Sequence, residues 1–87
     1  MSARYRRSPA AIWRASERVL VAAVSPNPPT RMAGSAPLVW RHLAVGIELD
    51  ELADRLSVET GSDPEVIRAD VASLLDALIP LGLVERA

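Results

Sequence analysis

The sequence predicts an α+β domain in which a three-stranded antiparallel β-sheet is followed by three α-helices, and three observations predict it. Up to Ala33 the apolar residues come in short valine- and alanine-rich runs broken by turn residues, as strands do. From Ser35 onward the leucines recur at spacings of three and four, the period of an amphipathic helix. Pro37, Gly46, Gly61, Pro64 and Gly82 then cut that half into three helical segments.

In chain order, residues 1–9 carry Arg4, Arg6 and Arg7 around Tyr5 and read as a mobile basic tail ahead of one domain spanning residues 10–87. The run Ala10-Ala-Ile-Trp-Arg14 is the first strand, with Trp13 as its anchor. Arg18 to Val24 is apolar on both alternating sets, which predicts a central strand covered on both faces. Ser25-Pro-Asn-Pro-Pro29 cannot be regular structure, so the chain reverses there. Thr30 to Ala33 is then the hairpin partner, a short edge strand preceded by Pro29. Its free edge is either a blunted edge or a docking edge.

Ser35 can cap helix one, Pro37 suits its first turn and Gly46 ends it, which places the helix over about 35–45. Leu38, Val39 and Leu43 form its buried face, with Trp40 beside them. Helix two runs from Leu49 to Val58 with Leu49, Leu52, Ala53 and Leu56 on one stripe, and Asp50 and Glu51 in the first turn complement the helix dipole. For helix three, Ser62 or Asp63 is the cap, Pro64 the first turn, and Ser62 with Glu65 makes a capping-box pattern. Ile67, Val71, Leu74, Leu75 and Leu78 form its apolar stripe. Pro80 and Gly82 stop it, and Leu83 and Val84 return to the core.

Composition narrows the chemistry. Without cysteine there is no disulfide, thiolate nucleophile or thiolate metal site, and the single His42 has no neighbouring acid or second histidine in sequence. No glycine-rich stretch has phosphate-cradling spacing, and the acids fall largely off the apolar stripes, as solvated faces do. The reading is therefore no enzyme, no cofactor and no metal. No apolar run is long enough to span a membrane and the start lacks a signal-peptide pattern, so the expected place is the cytoplasm, with no membrane partner. Charge is uneven: residues 1–44 hold seven arginines and one acid, residues 45–87 three arginines and ten acids.

Strands followed by helices, with helices two and three joined by a short glycine-containing turn, suggest a winged-helix-like arrangement and hence a DNA-binding regulator. Helix three argues against it. Asp63, Glu65, Asp70 and Asp76 face phosphate with only Arg68 to offset them, so no nucleic-acid partner is expected. A weaker alternative is a structural subunit that dimerises through its edge strand.

The helical half resembles the PqqD-like family. The resemblance rests on the cap Ser35, Trp40 with Leu43, Leu49-Asp50-Glu51-Leu52, Asp63-Pro64, Ile67, Asp70-Val71, Leu74-Leu75 and Gly82-Leu83-Val84. Where better-known members carry aromatics before helix one, this chain has Thr30-Arg31-Met32-Ala33-Gly34-Ser35. The resemblance implies a recognition element for ribosomally made, post-translationally modified peptides. In such an element the precursor's leader peptide adds as a fourth strand against strand three, with helix three as the groove's other wall. Carried onto this chain, the peptide-binding residues would be Thr30, Arg31, Met32 and Ala33 on the strand, and Ile67, Arg68, Val71, Ala72 and Leu75 on helix three. The shoulder Arg68, Ala72 and Leu75 is the first choice for the groove, with Val71 at its floor, and the shoulder Val66, Asp70 and Ala77 the rival. Arg31 or Arg68 would pair with an acid of the leader. The implied partners are the leader and a separate leader peptidase, cyclase or radical-chemistry modifying enzyme, with a slight preference for a lasso-peptide system. The chain is expected to act in trans as a monomer or weak dimer.

Overall fold

The computed structural model describes residues 3–86, and the chain folds as β1 (Arg4–Arg7), β2 (Ile12–Ala15), β3 (Leu20–Ala23), β4 (Thr30–Met32), α1 (Ala36–His42), β5 (Ile47–Glu48), α2 (Leu49–Thr60), α3 (Pro64–Leu78) and β6 (Val84–Arg86). The strands make two antiparallel three-stranded sheets, β2-β3-β4 and β5-β1-β6, which with the three helices give the expected α+β class. Met1 and Ser2 of the expected tail, and Ala87 at the end of the expected domain, lie outside the described residues.

The second sheet corrects the reading of the N-terminus. Arg4–Arg7 is its middle strand, paired with Ile47–Glu48 on one side and Val84–Arg86 on the other. Alternation explains how an arginine-rich segment can do this: Arg4 and Arg6 stay exposed while Tyr5 turns half-buried toward the core. Arg6 pairs with Glu85 at 2.9 Å, and the Arg86 guanidinium lies 5.6 Å from the Tyr5 ring centroid.

The sheet predicted from sequence is present, with two corrections. β3 is central, but it is covered on one face only: Leu20 is 0% exposed and Val21, on the other face, 37%. Among the described residues the face that carries Val21, with Arg14 and Arg31 beside it, is exposed, so the valine content of β3 does not translate into two buried faces. β2, over 12–15 rather than 10–14, is exposed at all four positions, and its Trp13, 43% exposed, stands edge-on to the buried Trp40 with ring centroids 6.0 Å apart. The β2–β3 turn is closed by Ser16, whose hydroxyl oxygen accepts from the Val19 N–H at 3.2 Å.

The helices follow their punctuation. α1 is shorter than expected because the Leu43 N–H folds back onto the Trp40 carbonyl at 3.1 Å, a tight turn that releases Ala44 and Val45 toward β5. α2 continues past Val58 to Thr60 and ends at Gly61, whose φ of 72° is the left-handed conformation that lets its N–H reach the Ser57 carbonyl. Asp63 caps α3 by accepting from the Glu65 N–H at 2.8 Å. Ser62 does not share in that cap; its carbonyl accepts from the Ser57 hydroxyl instead. Leu20, Val39, Trp40, Leu43, Leu52, Val71, Leu75, Leu83 and Val84 fill one core, with Trp40 inside it rather than beside it. Each large apolar side chain so buried contributes about 1.5–3 kcal/mol.

Candidate functional site

β4 pairs with β3 through Leu20↔Met32, Val21↔Arg31 and Ala22↔Thr30, and no other described strand pairs with it. Its outer edge therefore offers backbone N–H and C=O groups to an incoming strand. Thr30 and Met32 turn inward and are half-buried, Arg31 is exposed beside Val21, and Ala33 continues exposed toward α1.

Two contacts bring the segments that flank β4 to the two ends of α3. Before β4, the Asn27 side-chain amide donates to the Leu81 carbonyl at 3.3 Å, just beyond the C-terminal end of α3. After β4, Ser35 and Leu38 share a cleft of about 170 Å³ with Ile67, Asp70 and Val71 near the start of α3. Met32, Leu38 and Ile67 are half-buried and packed on the core, leaving apolar surface between strand and helices.

This geometry changes which flank of α3 meets the cleft. Ile67 and Val71 are there, joined by Asp70 from the flank given second place in the sequence reading. Arg68 is turned to α2, where its Nε donates to Asp50 Oδ1 at 2.6 Å, and that hydrogen bond together with the Asp50 charge raises the guanidinium pKa above its ordinary value. The cause is α2 itself: it packs against α3 and carries Asp50 in its first turn, where a carboxylate is favoured by the helix dipole. Ala72 is half-buried on the same side, and Leu75, 1% exposed, belongs to the core.

Ser35 and Leu38 are cleft residues that the sequence reading did not place there. Leu38 had the helical spacing of a core residue, and nothing in the spacing links residues 35–38 to residues 67–71. His42 also differs from expectation: Glu59 reaches it, Nε2 to Oε1 at 2.6 Å, and Glu59 also lies 3.6 Å from Arg41. These contacts tie α1 to α2 and give His42 a structural task. Among the described residues no three His, Cys, Asp or Glu side chains are grouped to hold a metal ion, and no helix is long and apolar enough to cross a membrane.

The family model described as coenzyme PQQ synthesis protein D (PqqD) matches residues 23–84, from the end of β3 through all three helices. The chain belongs to the PqqD family. Among curated proteins, no sequence matches it. The PqqD-family domain shares its fold with the structure described as TbiB1 in complex with the TbiA(beta) leader peptide, at a TM-score of 0.78 and 20% identity, over 92% of this chain and 94% of that one. That likeness extends the match in fold to the N-terminal strands that the family model leaves out.

In this PqqD-family domain the two-signed charge is spatially sorted. Arg14 and Arg31 sit opposite Val21 in the β2-β3-β4 sheet, and neither makes an ion pair among the described residues. α3 carries Glu65, Asp70 and Asp76, and its one arginine is held by Asp50.

Proposed function

We propose that this PqqD-family domain is a non-catalytic adaptor that binds the leader of a ribosomally made precursor peptide and delivers it to a separate modifying enzyme. The observation that carries the reading is the unpaired edge of β4, in a fold shared with a structure that holds a leader peptide. A leader entering there adds as a fourth strand. Backbone hydrogen bonds to β4 provide affinity, and alternate side chains enter the apolar space among Met32, Leu38 and Ile67. Thr30, Arg31, Met32 and Ala33 line the strand side; Ile67, Asp70 and Val71 line the helix side. Arg31, exposed and unpaired, faces an acid of the leader on the outer face.

The enzyme served is a leader peptidase, cyclase or radical-chemistry enzyme, with the peptidase of a lasso-peptide system favoured. The domain works in the cytoplasm, where the precursor is synthesised. A regulator that reads DNA with α3 is disfavoured by charge, because Glu65, Asp70 and Asp76 repel phosphate and Asp50 already occupies Arg68.

The test is fluorescence polarisation of labelled leader peptides encoded by short genes beside this one, with random duplex DNA as control. Binding of a leader at micromolar to nanomolar concentration, roughly −8 to −12 kcal/mol, without DNA binding is the expected result. Salt-sensitive DNA binding with no leader bound would overturn the proposal.

A further inference from the structure

A second cleft, about 740 Å³ in volume, opens between the β2–β3 turn and α1 and is not used by strand addition to β4. Arg7, Trp13, Glu17, Leu38, Trp40 and Arg41 are among its walls. Trp13 stands edge-on to Trp40 with ring centroids 6.0 Å apart, and the Arg7 guanidinium lies 4.8 Å from the first ring centroid and 5.7 Å from the second.

Two donors lack acceptors, one lining this cleft and one buried behind its wall. The Trp40 indole N–H belongs to a side chain 1% exposed and has no hydrogen-bond partner among the described residues. Arg7 is half-buried and makes no ion pair among them, whereas Arg41 is already occupied by Glu59. Glu17 also lines the cleft, exposed on the turn, and is paired with none of these groups. Native proteins rarely leave a buried N–H unmade, because an unmet donor loses its water without recovering a bond. A guanidinium beside two aromatic rings calls for one kind of group, a carboxylate carried on an apolar stem.

Continuity identifies what brings that group. The smaller cleft beside α3 and this larger one share Ser35, Leu38 and Thr60, so the path from the smaller cleft continues over the first turn of α1 toward Trp13 and Trp40. We propose that the leader peptide extends beyond its strand: the flanking segment crosses Ser35 and Leu38 and sets an Asp or Glu side chain against the Arg7 guanidinium beside the Trp13 and Trp40 rings. This rests on the reading of the β4 edge given above and adds an acidic anchor outside it.

Trp13 and Trp40 are the two tryptophans of the sequence, and both line the cleft, so intrinsic emission reports on its occupancy. The experiment titrates the intact chain with a tryptophan-free leader from the neighbouring precursor gene, following polarisation for binding and tryptophan emission for the cleft. A second leader has each Asp and Glu replaced by Asn and Gln. The expected result is a shift in emission with the native leader, about tenfold weaker binding of the amide leader and no emission shift with it. Arg7→Gln, checked for folding by circular dichroism, should weaken the native leader and leave the amide leader unaffected, the signature of a direct pair in a double-mutant cycle. Binding seen by polarisation with unchanged emission and equal affinity for both leaders overturns the anchor while the β4 groove stands. A variant that weakens both leaders equally acts through structure and also overturns the anchor. No binding by polarisation overturns the anchor and the groove together.

Discussion

The two sheets have the same number of strands and opposite uses. In β5-β1-β6 the middle strand comes from the start of the chain and its partners from residues 47–48 and 84–86, so the sheet joins segments remote in sequence. In β2-β3-β4 every partner is the next strand along, and β4 is left with an open edge. The first sheet has outer strands of two and three residues and holds the fold closed. The second presents a row of unpaired backbone groups. Under the proposed function, stability and recognition fall to different sheets, and substitutions can separate them.

The largest effect is expected in the closing sheet. Ile47→Ala removes a buried side chain opposite Tyr5 in β5. We expect a loss of about 2–5 kcal/mol in urea denaturation, with leader affinity retained by the protein that remains folded. If affinity falls while stability holds, the division between the sheets is wrong. Next comes Ile67→Glu, which puts a charge into the half-buried surface of the smaller cleft. About tenfold weaker leader binding or more, near 1.4 kcal/mol, is expected in polarisation with a circular dichroism spectrum like that of the parent. Unaltered binding by the folded variant would move the groove off this flank of α3. The smallest effect belongs to Arg68→Ala, which breaks the exposed contact with Asp50 on the opposite flank. Thermal melting and leader affinity should both stay close to the parent, and a marked affinity loss would restore that flank to the groove.

The helices were legible because their signals are local. Asp63, Pro64, Gly61 and Gly82 act within a turn of themselves, and the leucine spacing reports a period that the chain carries regardless of its neighbours. β1 was not legible: Arg-Tyr-Arg-Arg has no apolar alternation, and its partners lie about 40 and 80 residues away. Val21 misled for a related reason, since a valine-rich strand looks the same whether one layer or two will cover it. Strand 30–32 could be placed from the proline turn before it, and the peptide-binding roles on it and on α3 rest on the family resemblance. The helical wheel gives angles around an axis and not which element lies at each angle. Asp50, 18 residues from Arg68, decided that flank by drawing the guanidinium to α2.

The pairing of β1 with β6 sets Tyr5 opposite Arg86, so the path into the domain and the path out of it lie about one strand spacing apart, roughly 5 Å. A module with neighbouring entry and exit can be spliced into a surface loop of another protein without stretching the host. Grafted in this way onto a modifying enzyme, it would carry bound peptide at a high effective concentration, and the length of two short linkers would set how strongly capture and chemistry are coupled.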